Sequence, residues 1–242
     1  MAARGKPRAR WGLRVLALAL LAALGWAGWE YWIWPDVARL ARERPGTTAF
    51  IEEYRARQRA EGKPERVAWT WTPYAAISPN LKRAVLVAED ISFFSHHGFE
   101  LKEMQSAVED ALREGGLPRG ASTITQQLAK NLWLSSSRNP LRKVREGVLT
   151  WQLERALPKR RILELYLNVA EFGPGVYGGA AASQRYFGKP AADLEPHEAA
   201  ALAAGLPKPR TWHPGSTSSA YLRRVENIRN RMDKAAFLIR QI

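Results

Sequence analysis

The sequence predicts a mainly α-helical protein, a single helical domain preceded by one transmembrane helix. Three observations carry that reading. Apolar residues run from Val15 to about Ile33, broken late by Glu30, close to the ~20 residues that a spanning helix needs. From Ser78 onward, apolar residues recur at helical spacing, and helix-capping residues stand where the periodic stretches begin. No repeat, low-complexity tract or run of strand-like alternation interrupts the pattern. The 242 residues suffice for one domain of ordinary size plus a tail, and the 46% hydrophobic content excludes wholesale disorder.

Residues 1–12 form a basic tail: Arg4, Lys6, Arg8 and Arg10, then Arg14, precede any acidic residue. Trp26, Trp29, Trp32 and Trp34 gather at the far end of the apolar run, where amphipathic rings prefer a membrane interface. Residues 13–34 therefore read as a retained transmembrane helix, with the basic tail cytoplasmic and the rest of the chain outside. The small residues Ala22, Ala23, Gly25 and Ala27 leave a cleaved signal peptide as the alternative. Either way the domain is exported, which removes nucleic acid as a partner. The net charge of +14, from 37 Lys and Arg against 23 Asp and Glu, then calls for an acidic membrane surface or a phosphorylated substrate. The chain has no cysteine, so disulfides and thiolate metal sites are excluded.

Residues 35–72 are mixed and charged, with Pro45-Gly46 and Gly62-Lys63-Pro64 as breakers, and read as a juxtamembrane connector holding one short helix. The domain proper is expected over 73–242. Ser78-Pro79 caps a helix whose apolar face is Leu81, Ala84, Val85 and Ala88. Leu101, Met104, Val108 and Ala111 mark a second, ended by Gly115-Gly116. Thr123 with Gln126 is a capping box for a third, and Asn139-Pro140 opens a fourth that stops at Pro158. Further helices are expected over Ile162–Asn168, Ala180–Phe187, Glu198–Gly205 and Ala220–Arg240, with a Gly-rich loop over 173–179.

Several side chains in this frame could do chemistry. Glu89 follows Val85 and Ala88 on the shoulder of an apolar face; partial desolvation there raises a carboxyl pKa and makes it a better proton acceptor. Taken alone, it reads first as a solvated helix-end Glu. Thr123, Gln127 and Lys130 share one helical stripe. Ser122 at the helix N-terminus and Lys130 suit a diphosphate, and an ordinary wet helix face is the plainer alternative. Glu146 lies on a stripe with Arg142, Leu149 and Leu153, where an acid needs a partner or a task. An Arg142–Glu146 surface pair, worth ~0.3 kcal/mol, would be the plain version. Adjacent His96 and His97, in a chain with four His and no Cys, make a zinc site improbable.

The order of these residues carries a resemblance. Glu89-Asp90-Ile91-Ser92-Phe93-Phe94-Ser95-His96-His97-Gly98 resembles the E-D-x-x-F-x-x-H-x-G box of the family 51 glycosyltransferases, and Gly120 to Gln127 resembles their G-x-S-T-I-T-Q-Q box. Arg142 to Glu146 matches R-K-x-x-E, and Lys159 to Asn168 matches K-x-x-I-L-E-x-Y-L-N, a box expected to be mostly scaffold. Two departures are small: Ala121 replaces a common Gly, and His213 precedes Pro214 where Asn is usual.

The resemblance implies a lysozyme-like helical catalytic domain that polymerises peptidoglycan from lipid II, a disaccharide-pentapeptide on undecaprenyl diphosphate. It implies Glu89 as the general base and Glu146 as the second catalytic acid, attending the diphosphate with Lys130 and Arg142. Asp90, Phe93, His96, Ser122, Thr123, Gln127, Lys130, Asn131 and Arg142 are the substrate-binding residues it implies. A divalent cation, magnesium or manganese, is the one cofactor it suggests. The implied partners are lipid II, nascent glycan strands, the membrane and the wall-synthesis proteins of division or elongation. The implied place is the inner membrane, single-pass, with the catalytic domain in the periplasm. No Ser precedes Lys by three residues and no Lys-Thr-Gly occurs, so transpeptidase chemistry is not expected and the likeness is to the monofunctional members. Two rivals remain at this stage. A lysozyme-like hydrolase or lytic transglycosylase needs no cluster of cations, and a wall-binding module needs neither acid.

Overall fold

The computed structural model describes residues 7–100, 122–137 and 139–242, with Gln105, Ser106, Glu109 and Arg113. It is mainly helical, as expected, and divides into two units, residues 1–36 and 37–242. The first unit contains the helix α1, Pro7–Ile33, which overlaps residues 13–34 except for Trp34. Its described apolar side chains, Val15, Leu18, Leu21 and Leu24 among them, are exposed. Among the described residues, no helix is long and apolar enough to cross a membrane.

The second unit holds α2 (Ala49–Ala60), α3 (Pro79–Glu89), α4 (Ile124–Trp133), α5 (Pro140–Ala156), α6 (Lys159–Val169), α7 (Gly179–Phe187), α8 (Pro196–Gly205) and α9 (Ser219–Lys234). Local chemistry starts them where the capping residues stand. Thr48 accepts from the Ile51 N–H at 3.1 Å and opens α2, the short helix expected in the connector. Ser78 accepts from the Asn80 N–H with Pro79 in the first turn of α3, and Asn139 accepts from Leu141 with Pro140 opening α5. The expected last helix is interrupted: α9 stops at Lys234 and a 3₁₀ turn carries Ala236–Arg240. Leu101, Met104, Val108 and Ala111, which mark the expected second helix, lie outside the described residues, as do Gly120 and Ala121 of the second box; the described Gln105, Ser106, Glu109 and Arg113 are helical.

Three short strands that the sequence reading did not expect accompany the helices. β1 (Ala68–Trp69), β2 (Glu171–Gly173) and β3 (Val176–Tyr177) form a sheet in the order β1-β3-β2, β1 parallel to β3 and β2 antiparallel to it. Ala68 pairs with Val176, and Trp69 with Tyr177. Strands of two or three residues are too short to show alternation, so the 173–179 stretch read only as a Gly-rich loop. Gly178 has φ +81°, and an added Cβ would sit 2.7 Å from the Asn168 carbonyl oxygen, so this turn requires glycine.

The segment expected to connect thereby packs into the same unit as the helices that follow it. The Asn168 backbone carbonyl accepts from the Trp69 indole at 2.7 Å, and its side-chain amide bonds both the N–H and the carbonyl of Thr72. Ile51 of α2 is fully buried. The core has two halves. In one, α8 packs against both α3 and α9. Ala199 through Gly205 of α8 are all buried, and six of the seven are Ala or Gly, small residues that let the flanking helices approach closely. In the other, α4 packs against α2, α5 and α6. The C-terminus of α3, the N-terminus of α4 and the side of α9 meet where these halves join.

Candidate active site

Asp90 follows the last residue of α3, and its carboxylate is 2% exposed. It accepts from His96 Nε2 at 2.9 and 3.1 Å and from the Ile124 N–H at 2.9 Å. His96 Nδ1 accepts from the Gly98 N–H at 3.0 Å, which places the ring proton on Nε2, facing Asp90. The Gly98 carbonyl in turn accepts from the Thr123 hydroxyl at 2.7 Å. Thr123 caps α4 in a reciprocal capping box with Gln126. Gly98 is required at φ +88°, with Thr150 Cγ2 2.8 Å from where a Cβ would stand. Phe93 is fully buried, with Lys159 Nζ 4.4 Å from its ring centroid. The conspicuous polar residues of the first two boxes thus form a buried clamp joining α3 to α4.

The clamp fixes the residue before Asp90. The Glu89 side chain is 12% exposed. Its Oε2 accepts from Gln127 Nε2 at 2.9 Å and its Oε1 from Arg224 Nη2 at 3.0 Å. The Gln127 carbonyl oxygen accepts from the Tyr166 hydroxyl at 2.8 Å, so a three-residue chain runs from the core to the carboxylate. Burial raises the Glu89 pKa, against the opposing pull of the Gln127 hydrogen bond, Arg224 and Lys130. Glu89 lines a cavity of about 170 Å³ together with Ser92, the exposed Ser122, and Arg231.

Beyond Gln127 lies a second cavity of about 370 Å³, lined by Lys130, Asn131, Tyr166, Glu171, Lys208 and Arg210 among others. Burial lowers the Lys130 pKa, with Glu146 the leading opposing influence. The Glu146 side chain is 3% exposed and pairs with Arg142 at 2.8 Å and with Lys143. Arg142 also donates to the Ser137 carbonyl at 2.6 Å. The acid in the apolar stripe therefore has partners, and it neutralises part of the cationic cluster rather than standing free. Among the described residues no group of three or more His, Asp or Glu side chains gathers as a metal-ligand set, and the Glu146 carboxylate is already committed to two cations. These residues do not fit a metal held by the protein alone.

Two groups escaped the sequence reading. Arg224 touches Glu89 from 135 residues away, and no local spacing announces it. Tyr166 stood in the box read as scaffold. A tyrosine hydroxyl within an apolar stripe demands a partner, and that was the signal available.

Asp90→Ala leaves the His96 ring N–H and the Ile124 N–H unpaired in a buried place. The variant should lose about 3 kcal/mol of stability, read as a lower melting temperature, while a substitution at exposed Ser122 should not move it.

Comparison with known proteins identifies the family. The Transglycosylase family profile matches residues 56–233. A biosynthetic peptidoglycan transglycosylase of Thiobacillus denitrificans is 45% identical over 228 residues, covering 94% of this chain and 97% of that one. The protein of the same name from Laribacter hongkongensis is 40% identical over 228 residues, 94% and 98% of the two chains. That of Azoarcus sp. is 45% identical over 221 residues, 90% and 95%. With that profile over most of its length and relatives covering nearly all of it, the chain belongs to the transglycosylase family.

Proposed function

We propose that this chain polymerises peptidoglycan glycan strands, transferring the growing lipid-linked glycan to the 4-hydroxyl of lipid II with release of undecaprenyl diphosphate, in a lysozyme-like helical domain. The observation that carries the reading is Glu89, a desolvated carboxylate held between Gln127 and Arg224, with a cation-lined cavity on the far side of Gln127. Relatives covering nearly the whole chain bear the name of that activity.

In this reading the acceptor oxygen attacks the anomeric carbon as the bond from that carbon to the diphosphate breaks. Glu89 takes the hydroxyl proton and the leaving diphosphate keeps the bonding electrons, so an α-linked donor becomes a β-1,4 bond. Such a displacement needs a positioned base and a stabilised leaving group, not a covalent intermediate. Gln127 and Arg224 fix the orientation of the base, and Lys130, with the Arg142–Glu146–Lys143 cluster beside it, meets the diphosphate. Asp90, Phe93, His96 and Thr123 act by holding α3 and α4 in register. Ser122, Gln127 and Asn131, which line the two cavities, contact substrate directly. No step is assigned to a metal.

A polymerase working on a lipid-linked substrate gains from membrane attachment, and we take α1 as the anchor, with the domain in the periplasm. Five basic residues ahead of an apolar run, and the exposed apolar side chains of α1, support it.

Labelled lipid II given to the purified protein should be converted to glycan polymer. Glu89→Gln keeps the shape and removes the basicity, so polymerisation should fall by ~10²-fold or more. A variant within a few-fold of wild type would show that Glu89 is not the base. Only the ionised carboxylate accepts a proton, and burial raises its pKa above the ordinary 4.5. The acid limb of kcat/KM should therefore lie above that value.

Lys130→Ala and Arg142→Ala should each weaken binding of a moenomycin-type phosphoglycolipid, measured by fluorescence displacement. Unchanged affinity in both would remove the diphosphate role. The anchor is read separately. A C-terminal reporter active only after export should be active, and the mature chain should keep an N-terminal tag and resist extraction by high salt.

A further inference from the structure

Glu171 opens β2, where its backbone pairs with Tyr177 in the sheet, so the side chain stands on a rigid element. The residue is 9% exposed, and it lines the same cavity of about 370 Å³ as Lys130, Lys208 and Arg210. Among the described residues its Oε1 has no hydrogen-bond partner. A buried, unpaired carboxyl oxygen is unfavourable for folding and calls for a partner that arrives from outside. Burial raises its pKa, opposed by Arg210 and Arg57 and reinforced by Glu53. In either protonation state one oxygen remains able to accept.

The cavity therefore offers two unlike features, a wall of three cations and one carboxyl. The diphosphate of a lipid-linked sugar satisfies the cations but carries no hydrogen-bond donor for Glu171. The sugar joined to that diphosphate carries hydroxyls and an acetamido N–H. We propose that Glu171 is a substrate-binding residue of this cavity, its Oε1 accepting a hydrogen bond from a hydroxyl or the acetamido N–H of the sugar whose diphosphate the cations hold. The proposal rests on the polymerase reading above. It gives Glu171 the task of orienting the sugar ring while Lys130, Lys208 and Arg210 hold the charge.

The test compares Glu171→Ala, Glu171→Gln and wild type in initial-rate polymerisation of labelled lipid II, alongside thermal melting. Ala should raise KM about tenfold, the scale of one lost hydrogen bond to a carboxyl, and leave kcat within a few-fold. Gln keeps an acceptor oxygen and should stay near the wild-type KM. The melting temperature of the Ala variant should equal or exceed that of wild type, because the change removes a buried Oε1 that has no partner among the described residues. An unchanged KM for Ala, a Gln variant as impaired as Ala, or a melting temperature that falls for Ala would each overturn the proposal. Wild-type turnover in the same assay separates the two readings: a wild type that makes no polymer refutes the polymerase, not the placement of Glu171.

Discussion

The carboxylate of Asp90 accepts from the His96 ring and from the backbone N–H of Ile124, and the site is arranged around those bonds. One acceptor group fixes the end of α3, the loop that runs to Gly98 and the first turn of α4. The partners of that loop are buried, so they act as a rigid joint. A carboxylate at a helix N-terminus is also favoured by the helix dipole, which adds to the hydrogen bonds it accepts there. Once the joint is set, Glu89 and Gln127 have little choice but to face one another.

Burial then works on the two ends of the site in opposite senses. Glu89 is raised and Lys130 is lowered, in both cases first by desolvation. Each is held back by opposite charge: Arg224 and Lys130 act on the acid, Glu146 on the base. The arrangement keeps a carboxylate that can take a proton close to a cation that can meet a phosphate. The side chain of Gln127, which shares the α4 face with Lys130, bonds Glu89, Tyr166 and the Ser122 carbonyl. Were the acid and the ammonium in direct contact, each would be spent on the other.

Much of this was legible in the chain because it is local. The caps at Ser78, Thr123 and Asn139 are short-range chemistry, and each helix starts beside its cap. Spacing of three, four and seven residues put Gln127 and Lys130 on one face of α4. What spacing could not reveal was burial. Asp90, His96 and Thr123 are polar residues in a run rich in chemistry and suggested contact with substrate, yet their polar atoms are spent on one another and on backbone. Long-range partners were equally invisible. Arg224 sits in a strongly basic helix, where one guanidinium among several gives no sign of its partner, and β1 pairs with β3 across 108 residues of sequence, from Ala68 to Val176.

The contact between Arg224 and Glu89 also sets an order of events in the life of the molecule. Its two ends lie 135 residues apart, and Arg224 is carried by the last helix of the fold. A chain still emerging from the ribosome has the carboxylate, the clamp and the α4 face long before it has the guanidinium that orients the acid. The surroundings of Glu89 are completed only when α9 docks against α3 and α8. The setting of Glu89 is therefore complete only in a chain that includes α9, and a chain cut short before Arg224 keeps the carboxylate without the guanidinium that holds it.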